Sequence, residues 1–232
     1  MPTIKANGVN LYYEIHGQGA PLVLINGLNT ELTEYEPIVR PLAQRFRVLT
    51  FDNRGAGRSD KPDIPYSIEV MADDTAALMR AVGFEQANII GISMGGRIAL
   101  ALALNYPQLV KRLVLASTSA RGRGHRGWIV GLADRLPNLS RFHGQYPQPR
   151  YARNRQRRAV TAFDCSRRLG ELHVPTLIMH GTKDHLTPYR LAQEMHAGIV
   201  GSSLISVPGG HFYLFVAGRK QFLDAVTAFL ET

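Results

Sequence analysis

The 232-residue sequence predicts an α/β protein in which helices cover both faces of a mostly parallel β-sheet. Two observations lead to this fold class. Short, continuous apolar runs such as 21–25 and 110–117 are typical of strands that are buried on both faces of a parallel sheet. These runs alternate with segments of helical pattern, and such alternation is typical of parallel βαβ units.

The beginning of the chain predicts a β-hairpin, because the strand-like runs 3–6 and 9–15 flank the turn dipeptide Asn7-Gly8. Ser67 is the expected N-cap of a helix that extends through Arg80. The other expected strands cover 21–25, 47–51, 88–92, 110–117, 175–180 and 204–207. The other expected helices cover 35–44, begin at Met94, follow Pro188 and cover 220–230.

Length and composition indicate one domain that covers residues 1–232. A hydrophobic fraction of 45% with 19% charged residues is ordinary for a globular protein and argues against wholesale disorder. The single cysteine, Cys165, excludes an internal disulfide and fits a reducing compartment. The sequence has neither a secretory signal nor an apolar stretch long enough to span a bilayer. We therefore expect a cytoplasmic protein without a transmembrane segment.

The stretch that carries the chemistry is 88–101, which contains Gly91-Ile92-Ser93-Met94-Gly95. This pentapeptide matches Gly-x-Ser-x-Gly, a tight strand-to-helix turn that exposes a serine oxygen beyond the end of a sheet. The serine must adopt a strained backbone conformation, so the residues two positions away need to be nearly without a side chain. The apolar run before the motif and the Ala/Leu-rich helix after it supply the required context. We predict that Ser93 is a nucleophile.

Two further residues, Asp184 and His211, each follow an apolar strand-like run. Functional groups gather beyond the carboxyl ends of parallel strands, so both residues should lie near Ser93. His211 can take the serine proton near neutral pH, and Asp184 can orient the imidazole and stabilise its cationic form. His180 is a weaker candidate, because it is still inside its predicted strand. The eight histidines show no paired ligand spacing, so no metal site is expected.

Three motifs resemble those of the α/β-hydrolase superfamily. They are Asp-Asn-Arg-Gly-Ala-Gly-Arg-Ser-Asp at 52–60, Gly-Ile-Ser-Met-Gly-Gly at 91–96 and Val-Pro-Thr-Leu-Ile-Met-His-Gly-Thr-Lys-Asp at 174–184. The resemblance covers 10–117 and 163–230, and it is closest to the small bacterial esterases, enol-lactone hydrolases and non-haem haloperoxidase-like proteins. It implies the α/β-hydrolase fold and a triad in the chain order Ser93, Asp184, His211. Relatives with haloalkane dehalogenase or epoxide hydrolase activity carry aspartate at the elbow, so the serine argues against both activities.

The motif at 52–60 also contains Gly55-Ala56-Gly57, which suggests a phosphate-binding loop. It lacks the Gly-Lys-Ser/Thr ending of such loops, so the phosphate-binding signal is weak. We interpret the motif as a tight turn that braces the sheet, with Arg54 and Asp60 in structural roles.

The resemblance further implies an oxyanion hole made of two backbone N–H groups. One belongs to Met94, the residue after the nucleophile, and the other to Leu28 in the loop after the run 21–25. Many relatives have His-Gly where this chain has Asn26-Gly27. Asn26 can still hydrogen-bond to fix this loop, and both residues are candidates for substrate contact.

An insertion at 121–172 lies where the superfamily carries a cap over the active site. Twelve arginines but only two acidic residues fall within 121–168, so this stretch accounts for the whole net charge of +9. Three interpretations are open: a solvated lid face, recognition of an anionic substrate by bidentate arginine, or attraction to a membrane surface, nucleic acid or acidic partner. Specific nucleic-acid binding is the least favoured of these, because the run lacks a recognisable binding module.

The rest of the cap sequence is less informative. One helix is expected over 128–136 and a second over 154–164. Trp128, Phe142 and Tyr146 are candidates for lining an apolar acyl pocket, with Trp128 the foremost. The alternative is that these aromatic side chains only attach the cap to the body of the protein.

Together these observations predict a cytoplasmic serine hydrolase that cleaves a carboxylic ester or lactone without a cofactor or metal. The first hypothesis is a carboxylesterase that prefers short acyl groups. The second is an enol-lactone hydrolase that acts on a carboxylate-bearing substrate. The alternative from another class is a triad-bearing binding or scaffold protein with little turnover. The identity of the small-molecule substrate and the oligomeric state do not follow from the sequence.

Overall fold

The computed structural model describes residues 2–122, 145–146 and 148–232. Its strands are β1 (Thr3–Ala6), β2 (Val9–His16), β3 (Ala20–Ile25), β4 (Phe46–Phe51), β5 (Ala87–Ile92), β6 (Val110–Ala116), β7 (Thr176–Gly181) and β8 (Ser203–Val207). Within the described residues these eight strands form one sheet in the order β1-β2-β4-β3-β5-β6-β7-β8. The pairs β1–β2 and β2–β4 are antiparallel, and every other neighbouring pair is parallel. The predicted fold class is therefore confirmed.

Helices pack on both faces of this sheet. They are α1 (Glu36–Leu42), α2 (Ile68–Ala81), α3 (Met94–Asn105), α4 (Arg150–Ala162), α5 (Tyr189–Gly198) and α6 (Arg219–Glu231). Side chains alternate along β3, so that Val23 and Ile25 join a core with α2, α3 and α5, while Leu22 and Leu24 join a second core with α1 and α6. Of the helices described, none is long and apolar enough to cross a membrane.

Local sequence signals account for the element boundaries near the N-terminus. Asn7 and Gly8 both have positive φ, 47° and 81°, as the two central residues of a type I′ hairpin turn require. The Oγ of Ser67 accepts a hydrogen bond from the N–H of Val70 at 3.1 Å, which caps α2. Both features were predicted from the sequence and are confirmed.

One helix of the insertion at 121–172 begins and ends at other residues than the sequence predicts. Helix α4 begins at Arg150, directly after Pro149, and ends at Ala162, whereas the sequence pattern predicts 154–164. Pro149 has an extended backbone that forms the N-cap, so the helix starts as soon as the chain leaves the proline. The predicted helix at 128–136 lies outside the described residues.

Candidate active site

Ser93 lies at a sharp turn between β5 and α3, with φ 56° and ψ −115°. Its N–H donates to the carbonyl oxygen of Ala116 at 2.9 Å, which fixes this conformation against β6. A Cβ on Gly91 would lie 2.5 Å from the carbonyl oxygen of Gly95, and a Cβ on Gly95 would overlap the carbonyl oxygen of Ile25. Packing of the turn against the sheet is therefore the physical reason for the two glycines of the motif.

The two other predicted residues approach Ser93 from neighbouring strand ends. The loop after β8 carries His211, whose Nε2 lies 2.9 Å from the Oγ of Ser93. The loop after β7 carries Asp184, whose Oδ2 lies 2.7 Å from the Nδ1 of His211. The hydroxyl of Ser117 donates to the carbonyl oxygen of His211 at 2.8 Å and holds that loop in place. The structure thus brings the three residues into one hydrogen-bonded chain.

Asp184 is buried and almost fully hydrogen-bonded. Its Oδ1 accepts from the N–H groups of Leu186 at 2.8 Å and Thr187 at 2.7 Å. Burial opposes its ionisation, but hydrogen bonds from His180 and His211 outweigh that effect and hold the pKa of the Asp184 carboxyl well below its ordinary value. The carboxylate is therefore ionised at neutral pH and faces the imidazole of His211.

His180 contacts Asp184, although the sequence analysis treats it as a weaker candidate for the site. It is inside β7 as predicted, yet its fully buried ring lies with Nε2 3.3 Å from Oδ2 of Asp184 and 2.7 Å from the carbonyl oxygen of Thr187. The turn after β7 folds Asp184 back against the strand that precedes it. The separation of four residues between a strand-end histidine and an aspartate is the only signal that sequence offers for this contact.

Two backbone N–H groups beside Ser93 are available to a ligand. Leu28 and Met94 both line the cavity in front of the serine, and neither of their N–H groups donates a hydrogen bond among the described residues. By contrast, the N–H of Gly27 is occupied by the hydroxyl of Tyr35 at 2.8 Å. Met94 is the first residue of α3, where N–H groups have no partner within the helix.

The cavity has a volume of about 270 Å³ and a divided wall. Its aromatic and aliphatic part includes Tyr35, Leu186, Phe212 and Phe215. Another part carries charge, since Arg97 from α3 and Arg157 from the cap helix α4 line the same space. The cavity therefore suits a small ligand with both an apolar and a polar end.

The substrate-contact candidates occupy different places. Gly27 lines the cavity, whereas Asn26 is fully buried behind it and donates from Nδ2 to the carbonyl oxygen of Phe51 at 2.9 Å. Asn26 thus supports the loop and is not among the residues of the cavity wall. Tyr146 lies under the guanidinium of Arg58, 4.8 Å from its ring centre, and is also absent from the wall.

Trp128 and Phe142 lie outside the described residues. The cap residues that are described have several anchors on the body. The buried Glu31 accepts hydrogen bonds from the N–H groups of Gln145 at 2.8 Å and Tyr146 at 2.9 Å. Gln156 of α4 is fully buried and donates to the carbonyl oxygen of Arg54 at 2.8 Å. These contacts fix α4 above the cavity.

Arg54 and Asp60 make the internal contacts expected of structural residues. The guanidinium of Arg54 forms two hydrogen bonds of 2.5 Å with Asp74, and both side chains are buried. Oδ2 of Asp60 accepts from the N–H of Asn10 at 2.8 Å and ties the turn to β2. Neither residue lines the cavity.

Comparison with known proteins identifies the family over most of the chain. The family model for the alpha/beta hydrolase fold matches residues 20–161, and a model for TAP-like proteins matches 152–232. The AB hydrolase superfamily protein YisY of Bacillus subtilis is 31% identical, with 95% of each chain covered. A hydrolase from Pseudomonas aeruginosa superposes with a TM-score of 0.90 at 27% identity, covering 100% of this chain and 98% of the other. The enol-lactonase from Burkholderia xenovorans gives 0.88 at 27% identity, with both chains fully covered. The protein belongs to the alpha/beta hydrolase fold family.

Proposed function

We propose that the protein is a cytoplasmic serine hydrolase that cleaves a carboxylic ester or lactone through an acyl-enzyme. The observation that carries the proposal is the unbroken chain of hydrogen bonds from Ser93 through His211 to Asp184 at the wall of the cavity. A hydroxyl becomes an effective nucleophile when a base within hydrogen-bond reach takes its proton and a third group orients that base. The chain supplies each of these parts.

In the proposed reaction, the Oγ of Ser93 attacks the carbonyl carbon of the ester while Nε2 of His211 takes the hydroxyl proton. The oxygen of the tetrahedral intermediate is held by the N–H groups of Leu28 and Met94. One such donor typically contributes about 3 kcal/mol of transition-state stabilisation. His211 then gives the proton to the departing alcohol oxygen, the C–O bond breaks, and an ester of Ser93 remains.

Deacylation repeats the sequence with water. His211 removes a proton from a water molecule, the hydroxide attacks the acyl carbon, and the proton returns to Ser93 as the acid leaves. The ionised Asp184 stabilises the imidazolium in both halves, because its low pKa keeps it charged. No step of this scheme requires a cofactor.

Within this class we rank a carboxylesterase for short acyl groups first, because a cavity of about 270 Å³ suits a small acyl group. A lactonase is the second candidate, and the fold match to an enol-lactonase over the full length of both chains supports it. A binding or scaffold protein with little turnover is the remaining alternative. The hydrogen-bonded triad argues against it, since a binding site does not need a serine poised against an imidazole.

Hydrolysis of p-nitrophenyl esters from acetate to octanoate by the wild type and Ser93→Ala tests the proposal. The expected result is turnover of the short esters and a loss of at least about 10³-fold in Ser93→Ala. Ser203→Ala, which makes the same change at an exposed serine of β8, is the matched control and should retain full activity. Folded wild type that cleaves neither the esters nor a series of simple lactones would overturn the proposal, as would full activity in Ser93→Ala.

A further inference from the structure

The most unusual group near the candidate site is the side chain of Arg97. It lies on α3, four residues after Ser93, and lines the same cavity although it is only 6% exposed. Four residues of helix correspond to a rise of about 6 Å, so the backbone of Arg97 lies close to that of Ser93, and both residues contribute to the wall of one cavity. A buried charge of this kind needs a partner, because leaving water costs free energy that only pairing offsets.

The partners of Arg97 within the described residues are all neutral. Nη1 donates to the carbonyl oxygen of Val160, and Nη2 donates to the Oγ of Ser119 at 2.9 Å and to the carbonyl oxygen of Arg121 at 3.2 Å. A guanidinium has five N–H donors, so donors remain beyond these three hydrogen bonds. Burial also lowers the pKa of Arg97 to about 10, which indicates that its charge is poorly compensated.

A second buried arginine in the same chain shows what full compensation looks like. Arg54 is 3% exposed and forms two hydrogen bonds of 2.5 Å with the carboxylate of Asp74. Arg97 is buried to a similar degree, yet no ion pair joins it to a carboxylate in the part of the chain that the structure describes. The difference is that Arg97 faces a cavity, which a ligand can fill.

The surroundings of Arg97 also favour an anion. Arg157 of α4 lines the cavity as well, which brings a second cation to its wall. The acid nearest the serine, Asp184, is not in the wall and is engaged by His180, His211 and backbone N–H groups. Among the described residues of the cavity wall there is no carboxylate to match the charge of Arg97.

We propose that Arg97 binds a carboxylate on the substrate, so that the preferred substrate is an ester or lactone carrying a carboxylate a few bonds from the scissile carbonyl. This inference rests on the proposed function and narrows its substrate class. The Nε–H of Arg97 and the second N–H of its Nη1 make no hydrogen bond among the described residues, so either can donate a charge-assisted hydrogen bond to a carboxylate oxygen. The hydrogen bonds to Val160 and Ser119 hold the guanidinium in position before the substrate arrives.

The test compares monoethyl succinate with ethyl levulinate, an uncharged ester of almost the same shape, in wild type, Arg97→Met, Arg97→Lys and Arg158→Met. Arg158 is an exposed arginine of α4, so its replacement removes the same charge from the cap without touching the cavity. The readout is the ratio of kcat/KM for the two esters. This ratio does not depend on the fraction of correctly folded enzyme in a preparation.

We expect the wild type to prefer monoethyl succinate, and Arg97→Met to lose about 10- to 100-fold of that preference, chiefly through KM. Arg97→Lys should retain part of the preference, and Arg158→Met should retain all of it. A second pair, 3-acetoxypropanoate and 4-acetoxybutan-2-one, carries the carboxylate on the alcohol side and shows which end of the ester Arg97 binds. Wild type without a preference in either pair, or an unchanged preference in Arg97→Met, would overturn the inference while leaving the esterase activity intact.

A binding measurement separates this inference from the proposed function. Calorimetric titration of monoethyl succinate into Ser93→Ala requires no turnover, and we expect binding that weakens at least about tenfold in Ser93→Ala/Arg97→Met. Equal affinity in the two variants overturns the carboxylate site even if the enzyme is an active esterase. Weaker binding in the double variant supports the site even if the ester series is not cleaved.

Discussion

The backbone of Ser93 offers a test of how much stability the protein gives up for a reactive serine. A φ of 56° with ψ of −115° lies in a region that residues with a Cβ rarely adopt. Such a conformation costs about 1–2 kcal/mol for a residue other than glycine. Glycine avoids this cost but loses about 0.5–1 kcal/mol more conformational entropy on folding. Ser93→Gly should therefore be more stable than Ser93→Ala by roughly 0.5–1 kcal/mol.

The comparison of glycine with alanine isolates the backbone, because both variants lose the hydrogen bond between the serine hydroxyl and His211. Urea unfolding followed by circular dichroism gives the free energies of unfolding. The matched control is Ala228→Gly at an exposed position of α6, where the same exchange should destabilise by up to about 1 kcal/mol. The reasoning is refuted if Ser93→Gly is no more stable than Ser93→Ala. It is also refuted if glycine in place of alanine changes the free energy of unfolding in the same direction at positions 93 and 228.

Two further predictions concern acids, of which Glu34 is partly buried and Asp74 is buried. Burial, with Glu31 and Asp52 acting in the same direction, raises the pKa of Glu34 from 4.5 to about 7. Between these values the folded state keeps a proton that the unfolded state has released, so the free energy of unfolding should fall as the pH rises through this window. Glu34→Gln keeps an oxygen that can accept the N–H of Glu31. It should be about 1 kcal/mol more stable than wild type at pH 8 but not at pH 4.5, a figure that allows for screening of the part-exposed carboxylate. Urea unfolding from pH 4.5 to 8 measures this difference, and equal pH dependence of the two proteins would contradict the prediction. Asp74→Asn leaves the buried guanidinium of Arg54 without its carboxylate. The free energy of unfolding should therefore fall by about 3 kcal/mol in the same assay. A loss below about 1 kcal/mol would show that the ion pair is not needed for stability.

The parts of the site that follow from local chain geometry were predictable from the sequence. A Gly-x-Ser-x-Gly pentapeptide between an apolar run and a helix fixes where Ser93 lies, because few backbones other than this turn satisfy all of its steric limits. Asp184 and His211 could be assigned because strand ends of a parallel sheet converge on one edge, and each follows such an end. Their meeting at hydrogen-bond distance is a consequence of sheet topology.

The parts that depend on contacts between distant segments were not predictable. Glu31 binds the cap residues 145–146, which lie more than a hundred positions later in the chain. Arg97 is one polar residue on a helix of small and apolar residues, and its side chain is held by contacts with α4 and with the segment after β6. No periodicity or spacing within one element encodes such a contact, since both partners have ordinary local patterns.

The net charge of the cap does not by itself identify the arginine that we propose for binding the substrate. The described cap arginines include three that form surface ion pairs, Arg121 with Glu194, Arg155 with Asp63 and Arg168 with Glu171.

Such exposed pairs contribute little and are screened by salt. Arg97 lies outside the insertion and adds nothing to its charge, yet it is buried and lines the same cavity as Ser93. Because screening ions cannot surround a buried guanidinium, we expect one arginine on α3 to have more influence on the binding of an anionic substrate than several on the surface of the cap.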